Sequence, residues 1–126
     1  MTSTMNLNLD LYKAALLKRA AECRNDLEDV RKDIAIENTA EVMEQGIRAA
    51  DREVAMERME TAYRQLRQVE SALSRMERDE YGICLKCEDD IGQKRLDALP
   101  WAVLCVECQE TAERLRGSRT ALRRAA

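Results

Sequence analysis

Two pairs of cysteines constrain the fold of this chain more than any other feature. The first pair is Cys84-Leu-Lys-Cys87 and the second is Cys105-Val-Glu-Cys108, with seventeen residues between them. Two C-x2-C pairs with a gap of about 15–20 residues are typical of a tetrahedral zinc site to which each pair supplies two thiolates. The sequence therefore predicts one zinc ion bound by these four cysteines.

A site with four cysteine ligands is expected to be structural. Zinc with four protein ligands has no open position for water or substrate. The chain has no histidine, which is the commonest general base. The alternative, that each C-x2-C is a reactive dithiol, usually accompanies a thioredoxin-like βαβ pattern, and this sequence has none. We therefore expect a structural metal and no enzymatic activity.

The residues before the cysteines have the pattern of two long helices. From Leu9 to about Met76 there is no proline, and Gly46 is the one glycine. Apolar residues recur there in alternating steps of four and three, the 3.5-residue repeat of a coiled coil. Aromatic residues make up only 3% of the chain, which favours elongated helices over a round core. The first run contains Leu16, Ala20, Cys23, Leu27, Val30 and Ile34, and the second contains Ala55, Met59, Ala62, Leu66, Val69, Leu73 and Met76.

The two runs could pair within one chain or form a coil between two chains. Facing residues of an antiparallel hairpin have a constant sum of residue numbers, and the apolar pairs from Leu16–Leu73 to Ile34–Ala55 all sum to 89. A slip of seven residues would also satisfy the repeat. A sum of 89 places the turn near residues 44 and 45, beside the glycine. We therefore predict an intramolecular hairpin and a monomeric protein.

The tip of the hairpin is predicted to span roughly Asn38 to Asp51. Asn38 and Thr39 have capping side chains, and Glu41 follows Asn38 by three residues, as in a capping box. Residues 1–80 then form the N-terminal segment and hairpin, and residues 81–126 form the zinc finger and a C-terminal helix. The fold class is mainly α: a long antiparallel coiled-coil hairpin on a small four-cysteine base.

The base has three predicted parts. Tyr81-Gly82 forms a turn after the second helix, residues 91–98 form a short extended segment, and a last helix begins near Cys105. The fifth cysteine, Cys23, lies on the apolar run of the first helix. A thiol in that position is expected to be a small buried hydrophobe.

The charge pattern limits the choice of partners. The net charge is −3, so the chain is a poor candidate for non-specific DNA binding. Residues 111–126 are rich in arginine, which indicates either a solvated helical tail or a contact with an acidic partner. The N-terminal residues do not resemble a signal peptide, and no run approaches the roughly 18 apolar residues that span a membrane. Two paired-cysteine motifs bound to metal suit a reducing compartment, so we expect a cytoplasmic protein.

The finger resembles that of the DksA/TraR family. The shared pattern runs from Tyr81-Gly82-x-Cys84-x-x-Cys87 through Ile91-Gly92-x-x-Arg95-Leu96-x-Ala98-x-Pro100-x-Ala102 to the second cysteine pair, after an acidic lead-in at residues 77–80. The resemblance implies a bacterial transcription factor that binds RNA polymerase rather than promoter DNA. It implies that the coiled coil enters the secondary channel of the polymerase and that the tip approaches the active site. It also implies a change in open-complex stability, often together with the alarmone guanosine tetraphosphate (ppGpp).

The chain departs from the family at two places. The family tip carries Asp-x-x-Asp-x-Ala, and the matching positions here are Glu41, Glu44 and Gly46. Positions that supply basic residues for ppGpp binding in the family are Gln68, Leu99 and Gln109 in this chain. The resemblance thus implies a divergent paralogue with an acidic tip and a weak or absent ppGpp response. Two other functions stay open: a zinc-finger adaptor for another protein, and a nucleic-acid binder that uses the basic C-terminal helix.

Overall fold

The computed structural model describes residues 8–40 and 45–125, with side chains described except at 36–40, 45–50 and 119–125. The described residues form four helices, α1 (Leu9–Ala40), α2 (Gln45–Glu77), α3 (Gln93–Ala98) and α4 (Val106–Ala125). The predicted fold class is confirmed, because α1 and α2 pack against each other over a long interface and the four cysteines lie together beyond their open end.

The apolar residues predicted from the heptad pattern form the seam between α1 and α2. Leu16 and Val30 are fully buried on α1, and Ala62 and Val69 are buried on α2. The remaining predicted seam residues of α2 are half-buried. Cys23 is only 1% exposed, so its prediction as a small buried hydrophobe is confirmed. Burial also raises the pKa of the Cys23 thiol, which keeps that thiol neutral and inert.

Polar pairs across the hairpin fix its register. The Arg24 guanidinium lies 3.5 Å from the Glu70 carboxylate, and that of Arg58 lies 3.8 Å from Asp33. On the other flank, Arg19 Nε donates a hydrogen bond to Gln65 Oε1. The residue numbers of these pairs sum to 94, 91 and 84, so they lie on both sides of 89. A slip of seven would leave all three sums on one side, and the pairs therefore support the predicted register.

The helices extend further toward the tip than the sequence pattern predicted. Asn38 and Thr39 lie within α1, and Gly46 lies within α2. Neither Asn38 nor Thr39 begins a helix, so the predicted capping box is wrong. No proline or glycine interrupts the chain before Gly46, and the seam pattern favours continued helix over a local cap. The predicted tip residues Glu41 and Glu44 lie outside the described residues.

Local hydrogen bonds define the ends of the hairpin nearest the finger. The Asn8 side chain accepts a hydrogen bond from the Leu11 N–H and caps the start of α1. At the end of α2, the Glu80 N–H bonds the Arg75 carbonyl and the Asp79 N–H bonds the Met76 carbonyl. This is a Schellman motif, and Asp79 takes its left-handed position with φ of 58°. The chain therefore leaves α2 in a defined direction, directly into the finger.

The segment between the cysteine pairs differs from the prediction. Residues 91–98 were predicted to be extended, but α3 occupies Gln93–Ala98. Gly92, with φ of 101°, reverses the chain and precedes the helix. The short helix then places Leu96, which is 1% exposed, in the core. A segment with so few apolar residues has no clear periodicity, so this burial decides the local structure.

One hydrophobic core joins the hairpin to the finger. Tyr12 and Leu16 of α1 and Val69 and Ala72 of α2 belong to the same cluster as residues of the finger. The finger contributes Tyr81, Cys84, Ile91, Leu96 and Ala102. The open end of the hairpin is thus covered by a third layer, and this layer positions the four cysteines.

Candidate metal centre and the adjoining cavity

The first cysteine pair lies on a tight turn. The Cys84 N–H bonds the Asp89 carbonyl, and the Glu88 N–H bonds the Cys84 carbonyl. Glu88 has a positive φ of 63°, which turns the chain back after Cys87. An isolated antiparallel bridge between Ile83 and Asp90 closes the loop. These bonds point the two thiols of the pair to one side.

The second pair lies at the start of α4, as predicted. Cys105 immediately precedes the helix, and its carbonyl accepts the hydrogen bond of the Gln109 N–H. The Cys108 N–H points at Cys105 Sγ from 3.5 Å. A thiolate at this position occupies a helix N-terminus, where backbone N–H groups and the helix dipole stabilise negative charge.

The four sulfur atoms have the geometry of a zinc site. All four Sγ atoms lie within 4.8 Å of one another. Cys87 Sγ and Cys105 Sγ are 3.8 Å apart. Ligands at about 2.3 Å in a tetrahedron are themselves separated by about 3.8 Å, so the spacing fits Zn²⁺ bound by thiolates. The donor set and its geometry confirm the prediction that Cys84, Cys87, Cys105 and Cys108 are positioned to bind one metal ion.

Hydrogen bonds within the cluster separate the pKa values of the Cys84 and Cys108 thiols. Burial by itself raises the pKa of Cys84, but hydrogen bonds from the backbone at Cys87, Cys105 and Lys86 lower it to about 6. Hydrogen bonding with Cys105, followed by burial, raises the pKa of Cys108 to about 12. A cluster without metal would therefore keep protons at neutral pH, and zinc binding must release them.

Side chains from both helices of the hairpin connect to the finger. Tyr12 Oη of α1 donates a 2.5 Å hydrogen bond to the Asp97 carboxylate of α3. From α2, Arg75 donates through Nη2 to the Ala102 carbonyl at 3.1 Å and is only 2% exposed. Tyr81, at the junction, donates to the Pro100 carbonyl at 2.7 Å. The Tyr12 and Tyr81 rings also pack against each other, with centroids 5.8 Å apart.

The connecting residues were missed or only partly found by the sequence patterns. Arg75 lies one position before the predicted seam residue Met76, and a charged residue there carries no signal of burial. Tyr12 lies four residues before Leu16, one step of the apolar repeat, so its side of the helix follows from the pattern, but its partner Asp97 does not. Arg95, which is part of the shared family pattern, donates from Nε to the Leu104 carbonyl at 2.9 Å.

The positions matched to the family's ppGpp site lie around one cavity. Gln68 of α2, Leu99 after α3 and Gln109 of α4 all line a cavity of about 410 Å³ beside the metal centre. Its other lining residues are Arg95, Trp101, Ala102, Val103, Val106, Glu110 and Glu113. The structure therefore brings together three residues that are distant in sequence, and it places the carboxylates of Glu110 and Glu113 on the same cavity.

Within residues 8–40 and 45–125, no helix combines the length and apolar character that crossing a membrane requires.

Known proteins share both the finger and the fold. Residues 79–114 match the family model described as the prokaryotic DksA/TraR C4-type zinc finger. An uncharacterized protein of Aquifex aeolicus is 42% identical over 53 residues, which cover 42% of this chain and 37% of that protein. The RNA polymerase-binding transcription factor DksA of Escherichia coli is 38% identical over 48 residues, 38% of this chain and 32% of that protein. The matched segments thus span about a third of the length of these relatives.

The structural match is more extensive than the sequence matches. Transcription factor DksA2 from Pseudomonas aeruginosa superposes with a TM-score of 0.74 and 25% identity, over 85% of this chain and 84% of that one. Fold and site together define a helical hairpin mounted on a four-cysteine zinc finger. The finger matches that of the DksA/TraR family, and the family resemblance predicted from the sequence is confirmed.

Proposed function

We propose that this chain is a bacterial transcription regulator that binds RNA polymerase and modulates initiation. The observation that carries the proposal is the combination of the family's finger with a hairpin of two helices, each more than 30 residues long. A helix of that length reaches on the order of 45 Å. Such a hairpin suits insertion into a channel, and the metal centre supports its base.

The proposed mode of action places the hairpin in the secondary channel of the polymerase. The tip, with Glu41, Glu44 and Gly46, would then approach the active site, and the finger would rest at the channel entrance. The proposal draws support from the polymerase-binding relatives and from the continuity of α1 and α2 toward the tip. The protein would act in the cytoplasm as a monomer, without sequence-specific DNA contacts and without catalysis.

The response to ppGpp is proposed to be weak or absent. An alarmone with several phosphates needs cations, and the matched positions Gln68, Leu99 and Gln109 carry none. Loss of two charge-assisted hydrogen bonds costs roughly 3 kcal/mol, more than a hundredfold in affinity. The carboxylates of Glu110 and Glu113 on the same cavity add repulsion to that loss. The chain therefore fits a divergent paralogue that acts without the alarmone.

Transcription in vitro tests the function and the role of the tip together. Purified bacterial RNA polymerase is first captured on the zinc-loaded protein and then assayed on a ribosomal RNA promoter, with and without ppGpp. We expect capture and a change in transcript yield that ppGpp alters little. Glu44→Ala should be captured like the parent and should lose the effect on yield. Absence of capture would refute the proposal, and full regulation by Glu44→Ala would refute the tip assignment.

A second candidate function is an adaptor that uses the hairpin to bind a different protein. The exposed apolar side chains Val54, Met56 and Tyr63 on α2 favour a protein contact along the hairpin. The capture experiment separates the two functions, because an adaptor for another partner would leave the polymerase unbound.

A further inference from the structure

The cavity beside the metal centre has the wrong charge for a phosphate ligand. Among the described residues, Arg95 is the one cationic side chain that lines it, and the Nε of that side chain is bonded to the Leu104 carbonyl. Two carboxylates, Glu110 and Glu113, lie on the α4 side. Zinc bound by the four nearby thiolates would leave a net charge of −2 at the metal centre. Arg75 lies behind the Ala102 carbonyl, buried and bonded to it.

The walls of the cavity suit a long side chain with an apolar stem. Leu99, Val103 and Val106 line it together with the half-buried ring of Trp101. Lysine and arginine pack their methylene groups on apolar surface while the charged end stays near solvent or a counter-charge. An indole face also attracts a cation placed over it. At the rim, Glu110 and Glu113 are exposed, and Glu113 already accepts a hydrogen bond from Gln109 Nε2.

We propose that this cavity is a docking site for an arginine or lysine side chain presented by a protein partner. The guanidinium or ammonium group would lie between the Glu110 and Glu113 carboxylates, and the stem would pack on Trp101 and Val106. Carboxylates bind arginine through charge-assisted hydrogen bonds, which are stronger than the neutral bonds that Gln68 and Gln109 can offer. The inference goes beyond the proposed function, because it holds for whichever protein the hairpin binds.

The single tryptophan of the chain allows a direct test. Trp101 lines the cavity, so its fluorescence reports on occupancy without a label. The zinc-loaded protein is titrated with the capped tripeptides Ala-Arg-Ala, Ala-Gln-Ala and Ala-Glu-Ala, and with pyrophosphate and spermidine. We expect the arginine peptide to give a saturable change at a concentration roughly tenfold lower than the glutamine peptide. Neither the glutamate peptide nor pyrophosphate should saturate.

Paired variants distinguish binding in the cavity from a general effect of negative charge on the protein. Glu110→Gln with Glu113→Gln should remove the tenfold preference for arginine while zinc content and helicity stay unchanged. The control, Glu53→Gln with Glu77→Gln, removes the same charge from exposed positions of α2 and should keep the preference. The proposal is overturned by saturation with pyrophosphate, by equal responses to the arginine and glutamate peptides, or by a response to spermidine alone. It is also overturned if the cavity variant binds the arginine peptide like the parent.

Discussion

The two ends of the hairpin share one heptad pattern but differ in what covers them. At the end near the finger, Leu16 is fully buried and Tyr81 and Leu96 of the finger pack in the same core. Toward the tip, Ile34 and Ala55 are only half-buried, and the ion pair between Arg58 and Asp33 is solvent-exposed. Exposed ion pairs contribute little to stability, with a median of about 0–1 kcal/mol.

The seam between α1 and α2 therefore does not by itself set the stability along the hairpin. Beyond the finger, the two-helix seam buries Cys23 and Val30 but leaves Leu27, Ile34 and Ala55 only half-buried. Near the base, a third layer covers the seam. The finger supplies that layer, and zinc holds the finger together because so small a segment has little core of its own. With zinc bound, the molecule is therefore expected to unfold from the tip toward the base.

The largest expected effect is loss of the zinc. Cys84→Ser removes one ligand from the cluster, and structural zinc contributes on the order of 10 kcal/mol to small metal-dependent folds. We expect loss of bound metal, exposure of Trp101 and unfolding of the base, while the far part of the hairpin keeps much of its helicity. Metal analysis together with far-ultraviolet circular dichroism and Trp101 fluorescence measures all three changes.

The fifth cysteine provides the matched control. Cys23→Ala lies in the seam and not in the cluster, so it should keep one equivalent of zinc and cost about 1 kcal/mol. Zinc retained at one equivalent by Cys84→Ser, or lost by Cys23→Ala, would contradict the assignment of the ligands.

The next effect compares two leucines of α1. Leu16→Ala creates a cavity in the closed core and should cost about 3 kcal/mol, whereas Leu27→Ala, at a half-buried position, should cost about 1 kcal/mol. Chemical denaturation of the zinc-loaded variants measures both. Leu17→Ala, at a neighbouring position that is 51% exposed, controls for the change in helix propensity. Equal losses of stability in Leu16→Ala and Leu27→Ala would show that the finger does not stabilise the nearby end of the hairpin.

A smaller effect is expected from the hydrogen bond between the hairpin and α3. Tyr12→Phe keeps the ring packed on Tyr81 and removes only the hydroxyl that donates to Asp97. The loss should be about 1 kcal/mol. Tyr63→Phe, on the exposed surface of α2, should change stability by less than about 0.5 kcal/mol. A similar loss in both variants would mean that the bond between Tyr12 and Asp97 adds nothing to the base.

Alkaline pH should weaken the same contact. Burial, with the hydrogen bond to Asp97, raises the pKa of Tyr12 from 10.0 to about 12. The folded protein thus holds this proton more tightly than the unfolded chain. Its contribution is fully present below about pH 10 and falls as the pH rises toward 12. Melting temperatures of the parent should fall over this range by more than those of Tyr12→Phe, and parallel curves would contradict the assigned shift.

The sequence predicted the parts of the fold that depend on repeated or spaced residues. The seam from Leu16 to Met76 follows from its heptad period, and the cysteine pairs follow from their spacing. The helix α3 did not follow, because its six residues include only two apolar side chains, Leu96 and Ala98, and the burial of Leu96 decides the local structure. The predicted capping role of Asn38 and Thr39 was wrong because α1 continues through both residues despite their preference for caps.

The set of residues that line the cavity could not be predicted from sequence patterns. The family resemblance points separately to Gln68, Leu99 and Gln109. No repeat or spacing in the sequence links these residues to Glu110 and Glu113. Their common position depends on how α4 packs against the finger and α2. Arg75 is similar, since only the finished core explains a buried guanidinium bonded to the Ala102 carbonyl.

The central claim is that the zinc-held base presents the hairpin tip inside RNA polymerase. A photoreactive amino acid at position 44 tests it most directly, with position 17 on the exposed side of α1 as the comparison. After irradiation of the zinc-loaded protein with bacterial RNA polymerase, mass spectrometry identifies the crosslinked polymerase residues. The account predicts crosslinks from position 44 to residues near the catalytic centre and crosslinks from position 17 only to the outer part of the channel. Crosslinks from position 44 to the outer surface of the polymerase, or to no part of it, would contradict the account.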